Sequence, residues 1–359
     1  MKAERPLFVL VVILCVGLFL FSTTIFLSFA EEYNEPLGNI DAKNYYTMFL
    51  EEARYHVLLP FTIIFLNRIS GASILSLMSI GIPFSIFILL PFSFFLFSYN
   101  YSKSLGVSSL AVIFLIFGTD SLIVNLFVGI WAQTVFTALL FLTLLAMMMY
   151  LKNRKGIFLG LSVSLTALSC LSHECFSMLS IVVFCAFLFL IGKPKWILVS
   201  FVIWIVWLLV IPPQTYHCIN AVKKPPLLIP KNPTILPSSI VKKNLEAELP
   251  FLQGFMFMIN PVLVIYALGH GAFWKRKTKE RILLGVVILF LFLSIPVHHK
   301  MRSLRILAPF VCLFASVELL KEKSTFVWLY MMFYMYLSFV FIFNNSLLGL
   351  FSFNNIPLP

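Results

Sequence analysis

Carboxylates, arginines and one histidine are the groups in this chain whose type and spacing could do chemistry. The stretch from Glu31 to His56, EEYNEPLGNIDAKNYYTMFLEEARYH, holds Glu31, Glu32, Glu35, Asp41, Glu51 and Glu52, six of the fourteen acids in 359 residues. A carboxylate on a water-facing segment can take the proton from a hydroxyl as that hydroxyl attacks. Asp41 is one of only two Asp in the chain and is followed closely by Tyr45 and Tyr46, aromatic side chains suited to shaping a pocket. Glu51 and Glu52 are adjacent, so on a helix they point to different faces and at most one enters a shared site. His56 lies four residues beyond Glu52, on its face if the segment is helical. The plain alternative for all of them is a solvated loop.

Two further groups stand out. Arg302 and Arg305 are three apart and share a face if a helix begins there. Two guanidiniums on one face suit a phosphate, through bidentate charge-assisted bonds. Their plain alternative is an anchor at a membrane interface. His173 and Glu174 form a polar pair between two apolar runs, able to hold a proton or bind phosphate, or simply to reach the surface. The six Cys lie mostly inside apolar runs with no CxxC pair, which reads as small buried side chains. No Gly-rich phosphate loop, HExxH or GxSxG occurs, and no internal repeat is evident.

The elements that must position these groups are set by composition. Hydrophobic residues make up 61% of the chain and charged residues 11%, with 40 Phe. A soluble domain is about half apolar. Spanning helices need about 20 mostly apolar residues, and such runs recur from end to end. The expected fold is an all-α integral membrane protein, one polytopic domain over 1–359. Eleven spans are expected, at about 7–30, 74–98, 106–118, 132–150, 157–172, 176–191, 196–212, 254–273, 282–297, 306–320 and 325–343. The first run is longer than a signal-peptide core, so it reads as a span.

Charge orients the chain. With the N-terminus inside, the inner turns hold fifteen basic residues and four acids, and the outer segments eleven and ten. The tight KNRK, GKPK, KRKTKER and KEK turns all fall inside, as the positive-inside rule requires. The net charge of +12 is therefore a topology signal, and no nucleic-acid partner is expected. The first outer loop covers about 31–73, and its latter half reads as a helix lying along the surface. A second outer loop, about 212–253, carries eight Pro and five Lys, a density that forbids a continuous helix. A smaller outer turn contains Gly118 to Ser121, with Asp120.

These parts resemble the GT-C superfamily of membrane glycosyltransferases, such as the dolichyl-phosphate-mannose protein mannosyltransferases. The resemblance rests on IDAKNYY and EEARYHVLLPFTIIFLNRISG in the first loop and the step Ile69-Ser70-Gly71-Ala72-Ser73. It also rests on the helix Leu159 to His173, GLxxxLxxLxH in type, and on Arg305-Ile306-Leu307-Ala308-Pro309. Asp41 is followed by Ala42, where the family keeps a second acid. The resemblance implies sugar transfer, with inversion, from a polyprenyl-phosphate donor to a hydroxyl of a glycan, lipid or protein acceptor at the outer membrane face. It implies Asp41, or else Glu51 or Glu52, as catalytic base. It implies Arg302, Arg305, His173 and Glu174 at the donor phosphate. No cofactor is expected and no metal is indicated. The expected location is the cell membrane, N-terminus cytoplasmic. The rival readings are a lipid or polysaccharide transporter or flippase, and a non-catalytic envelope-assembly subunit.

Overall fold

The computed structural model describes residues 4–37, 46, 58–119, 126, 131–210, 259–269, 278–294, 300–322, 324–333, 335–336 and 340. Among them the chain is all-helical, with no strand beyond one isolated bridge. Among the described residues three helices are long and apolar enough to cross a membrane: Glu4–Tyr33, Ile74–Ser102 and Trp131–Asn153.

The first, α1 (Glu4–Tyr33), is apolar on every face. It packs against α3 and α5 through Val11, Cys15, Ser22, Phe26 and Ala30, a set at helical spacing. Ile13, Leu20 and Phe21 point outward, each more than half exposed, as a lipid-facing helix requires. Helix α2 (Leu58–Ser70) buries Leu59, Pro60 and Ile63 and packs on the helices Ile74–Phe84 and Gly156–Ser172. It stops at Gly71, whose φ of 69° favours glycine, with Asn67 Nδ2 donating to the Ala72 carbonyl at 2.8 Å.

The second long helix is α3 (Ile74–Phe84), a π-helical turn (Ser85–Leu89) and α4 (Leu90–Ser102) in series. Pro83 and Pro91 each lack a backbone N–H, and the wider turn between them absorbs the broken ladder. Ser85 Oγ donates to the Gly81 carbonyl and accepts from Trp131 Nε1, both at 2.8 Å. A Cβ on Gly81 would stand 2.6 Å from Trp131 Cζ2, so only glycine leaves room for the indole.

Helix α5 (Leu105–Phe117) is buried on almost every side, among α1, α4 and the helix Lys300–Leu319, which fits a helix that is apolar all round. Helix α6 (Trp131–Asn153) is the other core helix and packs chiefly on α7 (Gly156–Ser172) and α4. The α7 face toward it carries Ser162, Thr166, Ser169 and Cys170, small groups that let helices approach closely. There follow α8 (Glu174–Leu190), the peripheral α9 (Lys195–Val210), α10 (Pro261–Leu268), α11 (Thr278–Ser294), α12 (Lys300–Leu319) and a helical stretch at 325–333. Tyr266 OH donates to Glu322 Oε2 at 2.9 Å, tying α10 to the end of α12.

The helices fall on the apolar segments expected from the sequence, with two differences. The expected span 254–273 is not one helix, because the described helix begins only at Pro261. Proline at the first helical position lacks the N–H that would continue the ladder upstream, and it holds Asn260 extended. In addition, α12 begins at Lys300 rather than near 306, so Arg302 and Arg305 lie within it on one turn. Of the cysteines, Cys15, Cys170 and Cys312 are buried and unbridged, and Cys185 is half-buried and unbridged.

Candidate functional site

Ring contacts give the relative directions of the core helices. Trp131 meets Ser85, and ten residues later Phe141 meets Phe94 and Phe97, so α6 runs parallel to α3 and α4. Phe97 meets Phe310 and Tyr101 meets Phe314, so α12 runs parallel to α4. Phe310 and Phe141 are themselves 5.2 Å apart. Arg305 precedes Phe310 by five residues, and Phe136 precedes Phe141 by five. Both therefore sit about 7–8 Å above the same ring contact.

Phe136 is one wall around His173. The imidazole centroid lies 6.3 Å from Phe136, edge-on, and 5.0 Å from Phe176, while the two phenyl rings stack at 5.4 Å. His173 ends α7 and begins α8 in an extended conformation, φ −154° and ψ 113°. The local reason is a polar Ser172-His173-Glu174 step between two apolar helices. The side chain does not reach the surface; it is 1% exposed. Buried polar residues lie close in sequence to this box on all three helices: Gln133, Thr134 and Thr137 on α6, Ser169 and Ser172 on α7, Ser177 on α8. Trp204 Nε1 donates to Ser177 Oγ at 3.3 Å from α9.

Arg305 is half-buried between the buried Leu304 and Ile306. Ser303 and Ser294 hydroxyls are 2.8 Å apart and join the start of α12 to the end of α11. The backbone places Arg302 one turn from Arg305 on α12. The structure thus brings His173 and Arg305 to one level of the bundle, on different helices.

The same level contains a break in the backbone. Thr119 forms an antiparallel bridge with Ile259, and Asn260 N donates to the Gly118 carbonyl at 3.0 Å. Thr119, Ile259 and Asn260 are all buried. Gly106, at the start of α5, lies against Leu320 at the end of α12. Counting twelve residues back along each helix sets Gly118 level with Ala308, one turn from Arg305. Gly118 is glycine for a reason, since a Cβ there would stand 2.8 Å from Leu263 Cδ1 and from the Phe114 carbonyl. Non-helical backbone at membrane depth is tolerated where protein or a water-filled cavity surrounds it. Asn260 Oδ1 caps α10 by accepting from Val262 N at 2.9 Å, and its Nδ2 is buried with no hydrogen-bond partner among the described residues. Sequence reasoning missed this junction; the Asn260-Pro261 dipeptide and Gly118-Thr119 were the signal available.

Asp41, Glu51 and Glu52 lie outside the described residues, as do the side chains of Arg302 and Glu174. The segment with the three acids leaves α1 at Tyr33 and re-enters at Leu58. That is the end of the bundle where α3, α6 and α12 begin, because Ser79 of α3 donates to the Phe26 carbonyl near the end of α1, at 3.3 Å. Among the described residues no group of three or more His, Cys, Asp or Glu could hold a metal ion.

No protein-family model, curated protein or solved structure matches the chain.

Proposed function

We propose that the chain is a membrane-embedded glycosyltransferase of GT-C type that takes its sugar from a polyprenyl-phosphate donor at the outer leaflet. The observation that carries this reading is the shared level of His173 and Arg305, in the half of the bundle nearer the end from which the acid-rich first segment departs. In the reaction the acceptor oxygen attacks the anomeric carbon while Asp41, or else Glu51 or Glu52, takes its proton. The bond from that carbon to the phosphate oxygen breaks with inversion, and polyprenyl phosphate leaves with the electron pair. Arg302 and Arg305, with His173, bind the phosphate and stabilise the charge that grows on it. The donor carries its own activation, so no nucleotide is required. Eleven crossings, a cytoplasmic N-terminus and a cell-membrane location belong to the same proposal, supported by the apolar outward faces and the basic inner turns.

Purified protein incubated with labelled polyprenyl-phosphate sugars should release free polyprenyl phosphate. Release that persists unchanged in Arg305→Lys and in Asp41→Asn would sink the assignment of roles. No release with any donor would leave the transporter reading ahead. That second reading is favoured by one observation, the short helices α5 and α10 meeting at a buried bridge, since broken helices near mid-membrane are common in transporters.

A further inference from the structure

Three turns that are far apart in sequence converge at the opposite end of the bundle. Tyr150 of α6 meets Phe187 of α8 at 5.7 Å, which brings the turn after α6 to the turn after α8. Lys279 Nζ donates to the Leu190 carbonyl at 2.9 Å, which adds the start of α11. Together the turns expose Lys152, Arg154, Lys155, Lys193, Lys195 and Lys279. Across described residues 152–155, 193–195 and 278–281 the one acid is Glu280. Arg154 is held in the left-handed region, φ 56°, with its guanidinium 5.6 Å from the Tyr150 ring centroid. A β-carbon makes that conformation costly, yet here it fixes a cation over an aromatic face.

Beside the charges the surface turns apolar. Ile157 is 69% exposed, Phe189 68% and Trp196 51%, and each lies within four residues of a basic side chain. Basic side chains with an exposed apolar one beside them in each turn, an indole among them, match the anatomy of a phospholipid: anionic headgroup above acyl chain. An acidic soluble protein would meet the charges but leave the apolar side chains uncovered.

We infer that these three turns form a binding site for an anionic phospholipid of the inner leaflet. The six cations hold the headgroup phosphate, and the acyl chains lie along Ile157, Phe189 and Trp196. The site is remote from the His173 and Arg305 level; the inference uses the orientation proposed above and does not rest on the glycosyltransferase activity.

Native mass spectrometry of the purified protein, given equal amounts of phosphatidylglycerol and phosphatidylcholine, tests this. Wild type should retain phosphatidylglycerol in preference. Each basic residue near an anionic headgroup is worth roughly fivefold in affinity, so Arg154→Gln, Lys193→Gln and Lys195→Gln together should cost about a hundredfold. Lys321→Gln, on an exposed side chain paired with Glu318 at 2.8 Å at the same end, should cost little. Equal retention of both lipids by wild type, or an equal loss in the Lys321 control, would overturn the site and leave the charges as orienting signals alone. If the triple variant does not fold, wild type at rising salt serves instead: phosphatidylglycerol binding should weaken as the charges are screened, and salt-independent binding refutes the site.

Discussion

His173 illustrates how much a single position depends on its surroundings. From the sequence it could reach water or stay inside; in the structure it is enclosed by Phe136 and Phe176. The two roles separate in one variant. His173→Phe keeps an aromatic ring between Phe136 and Phe176, so the variant should still fold, checked by thermal unfolding in detergent. If the imidazole serves the donor phosphate, the same variant should turn over at least tenfold more slowly; normal turnover would make His173 a packing residue. Arg305 offers a second test at this scale. Arg305→Lys keeps the charge and loses the planar fork. Hydrogen bonds to charged groups contribute about 1.5–3 kcal/mol, so donor affinity should weaken roughly tenfold or more, read by titration of the labelled donor. For Asp41, Asp41→Asn keeps the shape and removes the proton acceptor. Turnover should fall by about 10²–10⁴-fold with donor binding nearly unchanged. If Glu51→Gln or Glu52→Gln is the variant that fails, the base is that glutamate.

At the scale of elements the core depends on two glycine contacts, each where a neighbouring helix comes too close for a β-carbon. Gly118 admits Leu263 of α10, and Gly81 admits the Trp131 indole at the start of α6. The indole is rigid and cannot swing away without losing its hydrogen bond to Ser85. Gly81→Ala should therefore lower stability by about 1–3 kcal/mol, as overpacking does, measured by thermal unfolding in detergent. Trp131→Phe removes the ring atoms that the new methyl would strike. The double variant should then be more stable than the sum of the single costs predicts, a positive coupling between neighbours. Additive costs would mean that the π-helical turn yields and the two residues do not oppose one another.

For the whole molecule, polarity is divided end from end. The end with Lys103, Arg154, Lys155, Lys193 and Lys195 joins its helices by tight turns, three of them closed by left-handed residues, Lys103, Arg154 and Gly192. The other end holds the last turn of α1 and the step from α2 into α3. If the basic end faces the cytoplasm, single cysteines at Lys155 and at Arg68, both exposed, should be labelled by a membrane-impermeant reagent from opposite sides. Labelling of both from one side would invalidate the topology and the eleven-crossing arrangement with it.

Apolar segments and the polar steps between them are local properties, so most of the described helices fall where the sequence places them. Ser104 and Lys103 mark a turn between two apolar runs, and Gly71 stops α2 where the chain needs a left-handed residue. Charge is equally local, and the basic turns stood apart from the acid-rich first segment in the sequence alone. The site was less legible. Leu105–Phe117 and Pro261–Leu268 read like pieces of ordinary spans, and nothing within either segment says that their ends are bridged at Thr119 and Ile259. Pro261 signals a helix start, but the partner lies about 140 residues away. The same holds for the level shared by His173 and Arg305, and for the meeting of the three basic turns. Those arrangements follow from which apolar faces pack best and from rings such as Phe97, Phe141 and Phe310 filling one layer. Such packing is decided by side chains from distant segments, and it exists only once the helices are assembled.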